Sequence, residues 1–411
     1  MSQTSGNTIL VIGGGAAGFF GAIACAEADP TARVVILERG PEVLGKVRIS
    51  GGGRCNVTHA CFEPKELVRF YPRGEKALLG PFHRFCSGDT VEWYESRGVP
   101  LKIEADGRMF PVSDRSQSII DCLENAARQA GVEVRTRQKV VQMYPPEEPG
   151  QDWKVMTAGG DAFFAKAILV AAGSSAAVWD LLRHLGHTVV PPVPSLFTFN
   201  IADPRVDGLA GLVAPNARVQ IAGTKWSADG PVLVTHWGLS GPGILKLSAW
   251  AARELHERSY RFEIEVNWWG NTETEDIRQQ FLRSRQEQAR KLVRNANPSP
   301  LPQRLWERLT IAAGIGDQQR WADLGNRQLQ ELAEQNGRCL FSVGGKSTFK
   351  EEFVTAGGVA LDEVDFKTFE SKIHRGLFLA GEVLDIDAVT GGFNFQAAWT
   401  GGWIAGKAMA G

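Results

Sequence analysis

The sequence has no apolar run of about 18 residues, no surplus of either charge, no Cys-x-x-Cys pair, no internal repeat and no low-complexity tract. The missing apolar run excludes an obvious membrane-spanning helix, and no basic stretch with a long apolar segment stands at the start, so the expected location is cytoplasmic. A net charge of −1 gives no chain-wide attraction for polyanions. The expected partner is therefore a small molecule, with no nucleic acid and no membrane, on a monomer or a dimer. The six cysteines are scattered and have no matching histidine cluster, which excludes a zinc site and a disulfide framework; no metal is expected.

Glycine is abundant, with 46 residues in 411, and it is concentrated at a few places. The first is Thr8-Ile9-Leu10-Val11-Ile12-Gly13-Gly14-Gly15-Ala16-Ala17-Gly18. An apolar run meets a glycine turn there, and a small-residue helix over 16–28 follows. Gly13 permits the tight turn, Gly15 lets a pyrophosphate approach the backbone, and Gly18 lets helix and strand pack closely. A second apolar run at 33–37 ends in Glu38, at the spacing expected of a carboxylate that accepts ribose hydroxyls. This βαβ unit predicts a parallel sheet and a dinucleotide.

A second glycine run, Ser50-Gly51-Gly52-Gly53-Arg54-Cys55-Asn56, is flanked by cations and hydrogen-bonding side chains, and it reads as a ligand loop or as a surface turn. Cys55 beside Arg54 is either a thiol of lowered pKa or an inert buried one. Residues 88–136 read as a helix, a short strand, and a longer helix capped by Ser113 or Asp114. A β-meander follows, with Val140 in its first strand, before the sheet resumes at 167–171 and turns at Ala172-Gly173. Near the C-terminus Leu379-Ala380-Gly381-Glu382 ends a strand, and Gly391-Gly392-Phe393-Asn394 leads into a helix from about residue 396. That helix is so rich in small residues that something must approach it closely.

Between these halves the composition changes. Short β-like runs occupy 191–266, and charged helical sequence spans 273–293, 302–313 and 326–335. The expected domains are a first dinucleotide-binding part over 1–190, an inserted β-rich domain over 191–270 plus about 337–350, a helical subdomain over 271–336, and a closing part over 351–411. His236, in Thr235-His236-Trp237-Gly238, either donates a proton to substrate or fastens its loop. Asp385 and Asp387 either accept sugar hydroxyls or are ordinary loop acids.

Three of these pieces together resemble the FAD-binding fold of the glutathione-reductase type: the Gly13, Gly15, Gly18 turn with Glu38, the turn at Ala171-Ala172-Gly173, and Leu379-Ala380-Gly381-Glu382. Such folds usually carry aspartate where this chain has Glu382. More narrowly, Ser50 to Asn56, Thr235-His236-Trp237-Gly238-Leu239-Ser240-Gly241-Pro242, Val354-Thr355-Ala356-Gly357-Gly358-Val359 and Gly391 to Asn394 resemble the YhiN/BaiN family of bacterial flavoproteins over almost the whole chain. The resemblance implies an α/β chain with a Rossmann-like FAD-binding domain, an inserted β-barrel-like domain and a small helical subdomain. It also implies tightly but non-covalently bound FAD, with NAD(P)H as a transient electron donor, since only one dinucleotide fingerprint is present. The implied activity is an oxidoreductase passing hydride from NAD(P)H through FAD to an unsaturated or conjugated substrate. An amine-type oxidase using oxygen and a flavin-binding scaffold or redox sensor are the alternatives. Cofactor contacts are expected at Gly13, Gly15, Ala16, Ala17, Gly18, Glu38, Arg39, Lys46, Gly51, Gly52, Gly53, Arg54, Cys55, Asn56, Val140, Ala172, Gly173, Gly357, Gly381, Glu382, Asp385, Gly391, Gly392, Phe393 and Asn394. His236, Cys55 and Arg54 are the candidate catalytic groups.

Overall fold

The structure is a computed structural model and describes residues 7–148, 150–347 and 354–411. The chain divides into two compact units, one of residues 1–192 with 350–411 and one of residues 193–349. The expected junction at 350–351 lies outside the described residues.

The first unit is built on Thr8–Ile12, every residue of which is buried. A strand apolar on both faces belongs in the middle of a covered parallel sheet. It pairs in parallel with Arg33–Leu37 on one side and Ala167–Val170 on the other. The full order is Val364–Asp365, Glu370–Ser371, Leu377–Leu379, Ala167–Val170, Thr8–Ile12, Arg33–Leu37, Glu133–Arg135. The five strands from Leu377–Leu379 to Glu133–Arg135 are parallel, and the first two form an antiparallel edge. Strand order reverses between Thr8–Ile12 and Ala167–Val170, and in open α/β sheets such a switch opens a crevice at the carboxyl ends of the strands. Gly13 and Ala171 to Gly173 lie there.

Two helices pack on each other beside this sheet, Ala16–Ala28 and Phe393–Met409. Their small residues form the seam. A Cβ on Gly402 would stand 2.5 Å from the Ala17 carbonyl oxygen, and one on Gly406 would stand 2.9 Å from the Ala24 Cβ. The partner that must approach the C-terminal helix closely is thus the first helix. The longer helix expected after Ser113 runs over Ser116–Gln129 and has no side-chain cap. Asp114 instead adopts φ 53° and ion-pairs with Lys102 and Arg54. The meander is a three-stranded sheet of Val140–Tyr144, Trp153–Thr157 and Ala162–Ala165.

The second unit is a seven-stranded antiparallel sheet in the order Cys339–Val343, Phe262–Asn267, Val213–Ile221, Ser227–Val234, Gly238–Ser240, Thr198–Asn200, Gly345–Ser347. The two edge strands are consecutive in the chain, joined at Gly344, so the sheet curls until its edges meet. This is the geometry of a barrel, which removes exposed edges. Inward residues such as Phe199, Val219, Val234, Ile264 and Phe341 form its core with Ile244 and Leu247. A helical part carries a second core around Phe281, Trp306 and Trp321. The helix expected over 273–293 stops at Glu287, because residues 289–293 pair with 319–322 instead: Lys291 and Ala289 carbonyls accept from Trp321 and Ala322, and Val293 donates to Gln319.

Candidate functional site

The Gly13 to Gly18 turn has two kinds of glycine. Gly13, at φ +112°, abuts the chain at Ala171 and Ala172, where a Cβ would lie 2.5 Å from the Ala171 oxygen, and a Cβ on Gly18 would press on the Gly13 carbonyl. Both make room for protein. Gly15 is different: a Cβ there would meet nothing within 4 Å, and the residue caps Ala16–Ala28 without a side-chain hydrogen bond. The start of the first helix is thus open beside Gly15, at the positive end of a helix dipole, as an anion site requires.

Glu38 follows the second strand and takes two backbone hydrogen bonds, from Gly14 N–H (2.8 Å) and Gly40 N–H (2.7 Å). Its carboxylate braces the glycine turn and keeps its second lone pairs for a ligand. Residues 137 and 138 donate to the carbonyls of Gly40 and Glu38, which lays the start of the meander and Val140 alongside. Arg39 reaches Ser175 Oγ at 3.4 Å.

Further along the same sheet edge, Lys46 and Glu382 form an ion pair, and a Cβ on Gly173 would lie 3.7 Å from Glu382 Oε2. Gly381 backs onto the Ala17 methyl. Gly13, Ala17, Lys46, Gly173, Gly381 and Glu382 are therefore one neighbourhood, assembled from four segments of the sequence.

The second glycine run bends at Ser50, after which Gly51, Gly52 and Gly53 take φ of 57°, 69° and 84°. Three successive left-handed residues are tolerated only by glycine. Gly51 sits against Phe110, while Cβ atoms on Gly52 or Gly53 would meet nothing within 4 Å. Asn56, in the amide orientation that satisfies both ends, donates to Thr58 O (3.0 Å) and accepts from Gly392 N–H (2.9 Å). That bond joins the second glycine run to the Gly391-Gly392 turn. A buried network that the sequence did not signal supports the junction: Gln396 Oε1 accepts from Thr58 (2.6 Å) and Thr90 (2.9 Å), and its amide donates to Thr400 (3.1 Å). Arg73, likewise unsignalled, makes a two-pronged ion pair with buried Asp387.

Several expected contacts are otherwise engaged. The Arg54 guanidinium bonds Glu104 (2.6 Å) and Asp114 (3.5 Å) and lies 3.9 Å over the Phe110 ring. Its charge is compensated by these carboxylates, with the Glu104 hydrogen bond as the main cause of its raised pKa. Cys55 is fully buried, and burial pushes its thiol up to about 12; a neutral thiol is a poor nucleophile. Phe393 stacks on Phe70 (4.2 Å) and His59 (4.6 Å) and is buried. The Asn394 amide closes a ring with the Ala388 backbone at 2.9 and 3.1 Å. The space a side chain would fill at Gly357 is taken by Pro191 and Pro192. Asp385 is buried, and its backbone N–H donates to Val359 O.

In the second unit, His236 and Trp237 are exposed in the turn between Ser227–Val234 and Gly238–Ser240. Thr235 fastens that turn, accepting from Trp237 N–H (3.2 Å) and donating to the Gly238 carbonyl (3.2 Å). The fastening role considered for His236 is thus carried by its neighbour.

A doubly wound parallel sheet, a glycine turn open at Gly15 and a second glycine-bounded helix at the same edge define the FAD-binding Rossmann type of fold, and the class is that of the FAD-dependent oxidoreductases. The chain belongs to the family described as HI0933-like protein Rossmann domain, whose model matches residues 7–408. It is 28% identical to a 3-dehydro-bile acid delta(4,6)-reductase of Clostridium scindens, covering 98% of this chain and 99% of that one. It is also 28% identical to a ribosomal RNA dihydrouridine synthase of Escherichia coli, covering 97% and 96%. A solved 3-ketosteroid-delta4-(5alpha)-dehydrogenase from Rhodococcus jostii has the same fold, with a TM-score of 0.54 at 14% identity over 100% of this chain and 98% of that one. No helix among the described residues is long and apolar enough to cross a membrane.

Proposed function

We propose that this chain reduces a carbon–carbon double bond conjugated with a carbonyl group, using NADH or NADPH that docks transiently and FAD held tightly without a covalent bond. The observation that carries this reading is that the names of its two relatives describe one bond change on unlike molecules. A delta(4,6)-reductase saturates double bonds of a steroid bearing a 3-oxo group, and a dihydrouridine synthase saturates the uracil bond next to a ring carbonyl. Bound FAD would accept a hydride from the nicotinamide and deliver it to the carbon remote from the carbonyl.

In this reading the N–H groups opened by Gly15 hold the pyrophosphate. Glu38 accepts ribose hydroxyls while bracing the turn, with Arg39 and Val140 on the adenosine side. Gly173, Gly381, Glu382 and Lys46 would hold the chain of the cofactor, and the open backbone at Gly52 and Gly53 would be free to take its ring. A proton must reach the carbon next to the carbonyl, and the exposed imidazole of His236 is the group offered for that role.

Anaerobic stopped-flow spectroscopy tests the electron path. Either nicotinamide should bleach the visible flavin band, and a conjugated enone should restore it. If neither NADH nor NADPH bleaches the band, the reductase reading fails. His236→Gln should leave the first step unchanged and slow the second.

A further inference from the structure

Cys25, Cys55, Cys122 and Cys339 are buried, whereas Cys61 and Cys86 are half-buried and both belong to the first unit. We propose that Cys61 and Cys86 are an oxidisable pair, which closes to a disulfide and clamps the chain that supports the Gly391 to Asn394 turn.

The segment 58–62 begins in the short strand Thr58–His59 and runs beside the start of the helix Ser87–Glu95. Contacts fasten it on both sides of Cys61. Before that residue, Thr58 Oγ1 lies 3.2 Å from Ser87 Oγ. After it, the Cys86 thiol donates to the Phe62 carbonyl at 3.7 Å, and a Cβ on Gly88 would stand 3.8 Å from the Phe62 ring. Cys61 therefore sits in a stretch held against residues 86–88 at either end. The two thiols also act on each other electrostatically: burial raises the Cys61 pKa most, and the charges of Glu66, Cys86 and Glu63 raise it further against the Glu63 N–H.

Their surroundings give the two sulfurs different parts. Cys86 caps the Ser87–Glu95 helix. Burial raises its pKa and the Asp89 carboxylate adds to that, but the backbone N–H groups of Gly88 and Asp89 at the helix start favour the thiolate. Cys86 is thus the thiol that attacks, and Cys61, among acids, is the one that resolves. The oxidant is hydrogen peroxide, which oxygen yields when it reoxidises a reduced flavin. The Cys86 thiolate bonds to one peroxide oxygen, the O–O bond breaks, and hydroxide leaves a sulfenic acid behind. That hydroxide takes the Cys61 proton. The Cys61 thiolate then attacks the Cys86 sulfur, the S–S bond forms as the S–O bond breaks, and the departing hydroxide takes up the proton Cys86 had released. Two electrons pass from the sulfurs to the peroxide, and two waters result.

The bond would close at a joint that bears on the cofactor turn. Thr58 and Thr90, near the two cysteines in sequence, both donate to buried Gln396 Oε1, at 2.6 and 2.9 Å, in the first turn of Phe393–Met409. Tyr71 adds a bond from its hydroxyl to the Phe393 carbonyl at 2.6 Å.

The experiment treats full-length FAD-loaded protein with hydrogen peroxide, blocks it with iodoacetamide and digests it with trypsin without reductant. The expected product joins the peptides 55–65 and 85–97; fragmentation distinguishes Cys61 from Cys55, which shares the first peptide. The oxidised protein should melt roughly 5–10 °C above the reduced one, because the bond restrains the unfolded chain between residues 61 and 86. Dithiothreitol should reverse both changes. Cys61→Ser should abolish the linked peptide and leave Cys86 as a sulfenic acid that dimedone traps, whereas Cys86→Ser should give no dimedone adduct at Cys61. An unchanged flavin spectrum establishes that each variant is folded. Absence of the linked peptide from the wild type, a link through Cys55, or a link that leaves the melting temperature unchanged overturns the proposal. Every readout is taken without turnover, so the outcome is independent of the reductase reading.

Discussion

Gly15→Ala and Gly18→Ala, three residues apart in one turn, should fail in opposite ways. The Gly18 Cβ would intrude well inside 3.0 Å of the Gly13 carbonyl oxygen, with the Gly13 carbon at 3.2 Å and Val11 Cγ1 at 3.3 Å. A backbone carbonyl cannot swing aside as a side-chain tip can, so the upper end of the overpacking range, about 3 kcal/mol, applies. Alanine recovers about 1 kcal/mol of helix propensity over glycine. The net loss is about 2 kcal/mol, or roughly 4–8 °C in the melting temperature of a unit this size. At Gly15 the backbone is extended, at φ −95° and ψ −167°, and the added methyl points into open space. The fold should lose well under about 1 kcal/mol, from a poorer helix cap. A pyrophosphate kept off the helix start, however, loses two charge-assisted hydrogen bonds of about 1.5 kcal/mol each. That is about 100-fold in FAD affinity. Thermal unfolding of the flavin-free proteins, with calorimetric titration of FAD, separates the two. A Gly15→Ala protein that binds FAD like the wild type, or a Gly18→Ala protein that melts with it, would refute the division of the turn into a ligand glycine and a packing glycine.

Cys55→Ala should leave flavin reduction within about twofold of the wild type, since a thiol pushed up to about 12 carries almost no thiolate near neutrality. Iodoacetamide followed by mass spectrometry should label Cys55 only when the protein is unfolded, and rapid labelling of the native protein would contradict its burial. Gly402→Val should separate the Ala16–Ala28 and Phe393–Met409 helices, because the new side chain would start 2.5 Å from the Ala17 carbonyl; the expected cost is about 3 kcal/mol, measured by urea unfolding. His187 is buried between Glu363 (2.9 Å) and Ser371 (3.1 Å), and its pKa lies below 6.5, burial outweighing the Glu363 contact and His374 adding a smaller lowering. The unfolded chain protonates near 6.5 and the folded chain only at lower pH, so between the two the unfolded state holds more protons and stability falls as the pH drops. Urea midpoints should decrease from pH 7.5 to 5.5, and His187→Gln should flatten that decline; an unchanged slope would remove His187 from it.

The strand, turn and helix of residues 8–28 were legible because their requirements are local. A strand buried on both faces must be apolar throughout, a tight turn with positive φ at Gly13 requires glycine, and Glu38 sits at a spacing set by one crossover helix. The turns at Gly173 and Gly381 follow the same strand-ending grammar, and the change of composition near residue 191 reflects the different needs of an antiparallel barrel. What a side chain touches is a different matter, because its partners come from distant sequence. Arg54 reads as a free cation until Glu104 and Asp114 fold against it, and the choice at Cys55 between a thiol of lowered pKa and an inert one is decided only when burial removes water from it. Phe393 belongs to a stack with Phe70 and His59, and the small residues of the last helix answer to the first helix, about 380 positions earlier. The helix expected to reach residue 293 ends at Glu287 because pairing with 319–322 buries Val293 and Trp321. Backbone conformation is thus written in short stretches of this sequence, whereas burial, ion pairing and the grouping of charges arise only when remote segments meet.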